Sequence, residues 1–139
     1  MNRALAWNAW LTNSRNCRYT TRPKLSGAVN ATLDTPRLRR DRKLHEQISE
    51  TNDSITSNMA AGFEQPTDRA FASFLTHSKA SLAEVLKRLK QAYFKRHISK
   101  EQLDPHVIAG EELGKMLGGF IKYLRQSDWT DRGRHDSSQ

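Results

Sequence analysis

Apolar residues recur at helical spacing along most of the chain. Three stretches carry them at steps of three and four residues, the pattern typical of helices that bury one face. The three stripes are Leu44, Ile48, Ile55, Met59 and Phe63; Phe71, Phe74, Leu75, Leu82, Val85, Leu86, Leu89 and Tyr93; and Leu103, Val107, Leu113, Leu117, Phe120, Ile121 and Leu124. The pattern favours amphipathic helices over a sheet.

Capping signals mark the start and the end of the first of these helices. Thr35 followed by Pro36 fits an N-cap with proline at the first helical position. The helix is predicted to end near Gly62, before Pro66. The next helix is predicted to start after Thr67 or Asp68, both of which are good N-caps.

The last striped helix has a clear start and several unfavourable residues. Ser99 with Gln102 three positions later forms a capping box. An interior proline costs about 3 kcal/mol, so Pro105 predicts an irregular first turn or a restart capped by Asp104. Three glycines at steps of four would each cost about 1 kcal/mol against alanine. We attribute them to a tight helix crossing; they are Gly110, Gly114 and Gly118.

A shorter helix before Asp34 completes a set of four. Thr21 is its candidate cap and Pro23 lies in its first turn; its apolar positions are Leu25, Val29 and Leu33. Four amphipathic helices joined by short connections predict an all-α fold, an antiparallel up-down four-helix bundle over residues 23–126.

The two ends of the chain have a different character. Residues 1–22 form a basic N-terminal extension, rich in arginine as transit peptides are, and we expect disorder ahead of targeting. No acid precedes Asp34. Residues 127–139 are polar and predicted to be a disordered tail, apart from a docked Trp129.

Composition indicates one basic domain. The 139 residues carry a net charge of +8, the pI is about 10.0 and the mean hydropathy is −0.80, so the partners should be acidic. The single Cys17 excludes an intrachain disulfide and suits a reducing, cytoplasmic compartment. Apolar runs are far shorter than the roughly 20 residues that cross a bilayer, so no membrane contact is expected.

Segments of the predicted helices resemble one known family. The matching residues are 54–63, Phe71, Phe74, Leu75, 81–84, 114–121 and Leu124. They are similar to the bacterial four-helix-bundle proteins named for the intervening sequences of 23S rRNA genes, from about Thr35 to Arg125. Ala61 stands where a glutamate is usual, and Gly118 where an asparagine is common. The resemblance marks as structural positions Asn58, Gly62, Phe63, Gly114 and Gly118.

The resemblance implies an oligomeric basic bundle with a connection to RNA or retroelements, and it implies no catalytic residue. A related branch, the accessory variability determinant of diversity-generating retroelements, is a homopentamer that binds the reverse transcriptase, so a pentamer is the implied assembly. The first helix departs most from the family, since Pro23 and Gly27 fall where a regular helix is expected.

Two clusters of cations are the candidate binding residues. The first is Arg37, Arg39, Arg40, Arg42 and Lys43; the second is Lys87, Arg88, Lys95 and Arg96, with Lys90 beside them. Positive charge at a helix start opposes the helix dipole, so an anionic ligand explains the first cluster better than helix stability does. Cations at a helix end complement the dipole, which makes the second a weaker candidate. The alternative for both is a solvated charged face.

Two details qualify these clusters. Arg37 and Asp41 are spaced to pair across one helical turn. Tyr93 and Phe94 lie close enough to the second cluster to stack on bases. Tyr93, however, belongs to the apolar stripe and is predicted to lie in the core.

One helical face carries residues that resemble a catalytic set: His77, Ser81 and Glu84. A nucleophile with its base and acid needs separately supported elements and an oxyanion hole, and a shared face supplies neither. We therefore expect no enzyme activity.

Metal chemistry is equally weakly supported. His97, Asp104 and His106 could lie together near the start of the last helix, but they lack zinc-type spacing. A surface cluster is the better interpretation. We expect neither a metal nor another cofactor.

A polar stretch in the second helix consists of weak helix formers. Its members are Thr51, Asn52, Asp53, Ser54, Thr56, Ser57 and Asn58. Hydrogen bonding within the bundle explains it better than contact with a ligand.

The sequence thus predicts a non-catalytic basic helical-bundle protein that binds nucleic acid, RNA or DNA, or a nucleic-acid enzyme, as a homo-oligomer. The alternative is a protein-interaction scaffold that meets an acidic partner and never touches nucleic acid. A third interpretation is a decaying gene product whose altered first helix no longer assembles.

Overall fold

The computed structural model describes the backbone of residues 21–137 and the side chains of residues 25 and 27–127. Over this range all regular structure is helical, which confirms the predicted all-α class. The helices are α1 (Thr21–Leu33), α2 (Pro36–Arg40), α3 (Arg42–Phe63), α4 (Asp68–Phe94) and α5 (Lys100–Ser137). None of these helices, as far as the structure describes them, has a stretch long and apolar enough to cross a membrane. Residues 1–20, most of the expected extension, lie outside the described residues.

The apolar stripes form one core. Helix α3 packs along α4, α4 packs along α5, and α1 lies against both α3 and α5. Phe71, in the first turn of α4, is fully buried, with its ring centroid 5.6 Å from that of Phe120 and 6.1 Å from that of Phe63. Burying each large apolar side chain contributes about 1.5–3 kcal/mol. Most of the buried apolar residues are positions that the sequence periodicity identifies, and Leu38, Ala72, Ala92, Ile98 and Met116 are buried as well.

Helix α1 forms despite its departures from the family pattern. It begins at Thr21 and buries Leu25, Val29 and Leu33, as predicted. An added Cβ at Gly27 would meet nothing within 4 Å. Gly27 therefore faces away from the core and leaves the packed face of α1 intact.

The second predicted helix is in fact two helices, because the chain breaks at Asp41. Thr35 is the N-cap and Pro36 occupies the first turn of α2, as predicted. Asp41 then adopts a non-helical backbone with φ −83° and ψ 78°, and its Oδ1 accepts from the backbone N–H of Leu44 at 3.3 Å. Aspartate competes with the helix for backbone donors, so it ends α2 and caps α3. The break turns Leu38 of α2 fully into the core.

The next two helix starts agree with their sequence signals. The Thr67 hydroxyl accepts from the N–H of Ala70 at 3.1 Å, which identifies Thr67 as the cap of α4. At the start of α5, Ser99 Oγ accepts from the N–H of Gln102 at 3.2 Å, and Gln102 Oε1 accepts from the N–H of Ser99 at 2.9 Å. The capping box is confirmed.

Helix α5 is longer and more regular than expected. Pro105 lies inside it with no restart at Asp104, so the predicted irregular turn was wrong. Pro105 is one turn from the start, and the only backbone bond it removes is the one to the carbonyl of Glu101, in a turn the capping box already fixes. The helix continues to Ser137, through the segment predicted to be disordered. Residues 127–137 contain no proline that would end it; the side chain of Trp129 lies outside the described residues.

Glycines allow close contacts between helices at some of the expected positions but not at all of them. An added Cβ at Gly110 would lie 2.7 Å from two methyl carbons of Leu86 on α4. At Gly114 the nearest atom would be 3.7 Å away, an ordinary contact, and at Gly118 it would be Lys79 Nζ at 3.2 Å. The tight crossing that was expected at all three is therefore confined to Gly110. Gly62 makes another close approach, from α3 to α4.

Candidate functional site

The two predicted basic clusters meet at one end of the molecule. Helix α2, the break at Asp41 and the loop after α4 surround a shallow depression, called here the basic end. It is lined by Arg37, Arg40, Asp41, Lys95, Arg96 and His97. Four of these side chains carry a positive charge and one carries a negative charge. The basic end therefore suits an anionic partner.

The backbone at the end of α4 places Arg96 in this depression. The N–H of Arg96 bonds to the carbonyl of Tyr93, and the N–H of His97 bonds to that of Ala92, both at 2.9 Å. This pair of bonds is the Schellman motif, whose left-handed position is usually glycine. Arg96 occupies that position with φ 62°. Its carbonyl accepts a bond of 3.4 Å from Arg37 Nη1, which joins α2 to the loop.

Asp41 is the only carboxylate among the described residues that line the basic end. Its Oδ2 lies 3.3 Å from Lys95 Nζ and 3.0 Å from His97 Nε2. The N–H of Leu44 donates to Asp41 and, with His97 and Lys95, lowers the pKa of its carboxyl below 3.8. The predicted pairing with Arg37 was wrong, because the break at Asp41 turns the carboxylate toward the loop after α4. The guanidinium of Arg37 lines the depression and donates to the carbonyl of Arg96 instead.

The other cations of the first cluster lie outside the depression. Arg39 pairs with Asp34 at 3.1 Å, and both side chains are largely exposed. Arg42 and Lys43 are exposed on the first turn of α3. An exposed ion pair such as Arg39–Asp34 contributes roughly 0–1 kcal/mol to stability. These residues add positive charge nearby without lining the basic end.

Arg88 has a structural position. Its Nη1 donates to Gln47 Oε1 on α3 at 2.9 Å, and its Nη2 lies 3.4 Å from Glu84 Oε1 on its own helix. The side chain is 26% exposed. Arg88 therefore bridges α3 and α4 and is less available to a ligand than its neighbours.

A second basic surface runs along α4 and is called here the basic groove. It is lined by Ala83, Leu86, Lys87, Arg88, Lys90, Gln91, Phe94 and Lys95. Phe94 is 79% exposed, and its ring centroid lies 5.6 Å from that of Tyr93. None of the described residues that line this groove is a carboxylate. Lys95 lines both depressions, so the basic groove and the basic end meet at this residue.

A third basic surface lies between α4 and α5 beside Gly118. Its lining includes three cations, Lys79, Lys122 and Arg125, beside Gly118. Sequence reasoning missed this set, because the cations come from two helices and form no run in the sequence. Only the contact between α4 and α5 brings them together.

The residues weighed for catalysis are not joined in a reacting arrangement. His77 is exposed, Ser81 Oγ lies 2.9 Å from Ser54 Oγ, and Glu84 is paired with Arg88. Ser81 thus connects α4 to α3. The contacts of Ser81 and Glu84 are therefore those of residues that pack helices together or lie at the surface.

The predicted surface cluster at the start of α5 was wrong for His106. This side chain is 3% exposed, and its Nε2 lies 2.7 Å from Thr32 Oγ1 of α1. Burial lowers the pKa of His106. His97 is engaged with Asp41 instead. Within the part of the chain that the structure describes, no three potential ligands are grouped to hold a metal ion.

The polar stretch of α3 makes hydrogen bonds within the protein, as predicted. Asn52 is buried and its amide donates to Asn30 Oδ1 of α1 at 3.3 Å. Asn58 donates to the carbonyl of Ser54 at 2.8 Å. The hydroxyls of Thr51, Thr56 and Ser57 bond back to carbonyls of their own helix.

One of the comparisons with known proteins found a match. A family model described as 23S rRNA-intervening sequence protein matches residues 11–119, which is more than half of the chain. No curated protein and no solved structure matches.

Proposed function

The chain belongs to the 23S rRNA-intervening sequence protein family, and from this premise we propose that it is a non-catalytic protein that binds nucleic acid, RNA or DNA, through its basic end. Docking is electrostatic: the side chains contact phosphates, so binding is blind to base sequence at this surface. The protein acts in the cytoplasm.

One observation carries this proposal. Arg37 and Arg40 of α2 line the same depression as Lys95 and Arg96, and Arg37 donates to the carbonyl of Arg96, 59 positions away in the chain. Gathering like charges costs free energy unless an anion offsets their repulsion. Among the described residues that line the basic end the one carboxylate, Asp41, is already engaged by Lys95 and His97.

The conformation of Arg96 supports the same conclusion. A residue with a side chain costs about 1 kcal/mol in the left-handed region, where glycine is the usual choice. Strained residues are concentrated at functional sites. An arginine at this position supplies charge where stability alone favours glycine.

We further propose that the helices form an antiparallel up-down four-helix bundle in which α2 and α3 together make the second helix. The pairwise packing supports this arrangement, because α1 meets both α3 and α5 while α4 lies between α3 and α5.

The bundle is proposed to assemble into a homo-oligomer, a pentamer by resemblance to the retroelement branch. Ile108 supports an interface, because this apolar side chain is 60% exposed on α5. Light scattering of the parent protein should give a multiple of the 15.9 kDa chain mass. I108E should shift the mass toward one chain and I108V should not. A parent mass of one chain would contradict the assembly.

The function is tested by the salt dependence of binding to labelled RNA and DNA. The variant R37E/R40E changes two residues that line the basic end. Its matched control, R39E/R42E, makes the same change in net charge at neighbouring residues outside it. R37E/R40E should bind more weakly, and its slope of log affinity against log salt should flatten by about 0.9 for each duplex phosphate that it no longer neutralises. The control should change both quantities less.

Two outcomes would contradict the proposal. Equally weakened binding in both double variants would assign binding to net charge rather than to the basic end. No binding by the parent protein near physiological salt would favour the alternative, a scaffold for an acidic protein.

A further inference from the structure

We propose that the basic groove is a binding site for single-stranded nucleic acid, in which a base stacks on the exposed ring of Phe94 while lysines hold the adjoining phosphates. The inference rests on the proposed function and specifies its substrate class.

Phe94 is the most exposed large apolar side chain among the described residues, at 79%. It is the last residue of α4, so its ring projects from a helix end whose backbone is fixed by the Schellman motif. The ring of Tyr93 supports it from one side at 5.6 Å. An aromatic ring held in this way provides a stacking platform, and every base has a face that can use it.

The charges around Phe94 fit a phosphate backbone. Lys90 precedes Phe94 by four positions and is its neighbour on the helix surface. Lys87 lies one turn further back, roughly 10 Å from Phe94 along the axis. Both lysines are exposed and form no ion pair with a described residue, and the groove's described lining contains no carboxylate.

The groove also indicates where a bound strand would continue. Lys95 follows Phe94 and lines both the basic groove and the basic end. A strand stacked at Phe94 can therefore continue past Lys95 to Arg37 and Arg96, beside Asp41, the one carboxylate among the described residues that line the basic end.

Stacking on Phe94 would make the protein distinguish single strands from duplexes. The bases of a duplex are stacked on one another, so their faces cannot reach Phe94 unless a pair opens. Phosphate contacts, in contrast, are available in both forms. Removal of the aromatic ring should thus weaken binding of single strands selectively.

The test compares 5′-labelled single strands of RNA and of DNA with the matching duplexes by fluorescence anisotropy at fixed salt. F94A should weaken single-strand binding about 5- to 150-fold, the range for removing one stacked base, and duplex binding less than about twofold. F94L keeps an apolar side chain without a ring and should behave like F94A. F94W should restore single-strand binding. K87E/K90E should weaken the binding of both single strands and duplexes, since it removes phosphate contacts.

The outcomes distinguish this inference from the proposed function. If the parent protein binds nucleic acid and F94A leaves single-strand affinity unchanged, or lowers both affinities equally, stacking at Phe94 is wrong while binding at the basic end stands. If F94L binds single strands as well as the parent, the contact is apolar rather than aromatic, and the stacking proposal is overturned. If the parent binds neither form, both proposals are overturned. Circular dichroism of each variant checks that α4 remains folded.

Discussion

The imidazole of His97 lies 3.0 Å from the carboxylate of Asp41, a residue 56 positions earlier in the chain. The same carboxylate caps α3 through the N–H of Leu44 and pairs with Lys95. Asp41 therefore stabilises the helix start, holds the loop after α4 and weakens the positive field of the basic end. These roles can be separated by substitution.

D41N and D41A should both bind nucleic acid several-fold more tightly than the parent, because each removes the only negative charge among the described residues that line the basic end. Their stabilities should differ. Asparagine still caps a helix, whereas alanine costs about 1 kcal/mol at such a position, so D41A should be the less stable in urea unfolding. Unchanged or weaker binding by D41N would show that Asp41 orients the cations rather than opposing the ligand.

Asp41 also predicts a decrease of stability in acid. The N–H of Leu44, with His97 and Lys95, holds the pKa of its carboxyl below the ordinary 3.8. The folded protein then binds fewer protons than the unfolded chain in the window between its lowered pKa and 3.8. The contribution of Asp41 is complete above that window and disappears as the pH falls through the folded pKa. D41N should lack this part of the acid transition.

His106 should make the protein less stable as the pH falls below 6.5. Burial lowers the pKa of its imidazole from 6.5, so the unfolded chain binds the proton first and the unfolding free energy falls between 6.5 and the folded pKa. The slope from this group is at most about 1.4 kcal/mol per pH unit. Urea unfolding from pH 8 to pH 5 measures it.

H106Q removes the titrating group and should flatten this slope. The control is H77Q, which replaces an exposed imidazole on α4. T32V removes the hydroxyl that lies 2.7 Å from His106 and should destabilise the protein by about 1–3 kcal/mol, since it leaves a buried polar atom without its partner. An identical pH profile in the parent and H106Q would show that His106 is not the source of the slope.

Two glycines of the family signature should respond in opposite ways to alanine. At Gly62 the new Cβ would lie 2.8 Å from Phe74 Cβ and 2.9 Å from the ring of Phe71. Phe74 Cβ moves only with its backbone, so α3 must shift away from α4 and G62A should be destabilised by about 1–3 kcal/mol. At Gly114 the nearest atom is 3.7 Å away, so G114A should gain up to about 1 kcal/mol of helix propensity. Thermal unfolding of both variants tests the difference, and a stabilised G62A would contradict the close approach.

The helical pattern identified most of the fold because its signals are local. Stripes, the Ser99 capping box and the Thr35–Pro36 start each depend on residues within a few positions of one another. The break at Asp41 was missed, because aspartate in a run of arginines also fits a surface ion pair. His106 was misplaced because its partner, Thr32, is 74 positions away.

The candidate site was predicted only as two separate clusters. Their cations were visible in the sequence, but their meeting depends on the short α2 and on the loop after α4. Lys95 and Asp41, 54 positions apart, come together only through that geometry. Nothing in the sequence indicates that Arg96 adopts a positive φ, because that conformation at a helix end is normally signalled by glycine or asparagine.

Arg96 allows stability and binding to be set against each other. R96G places the preferred residue in the left-handed position of the Schellman motif, so the unfolding free energy should rise by about 1 kcal/mol. The same change removes a cation from the basic end and should weaken binding and flatten its salt slope. R96A is the matched control, because it removes the same charge but keeps a Cβ in the strained conformation. It should bind as weakly as R96G without the gain in stability. If R96G were both more stable and an equally tight binder, the arginine would have no binding role at this position, and the basic end would be reduced to Arg37, Arg40 and Lys95.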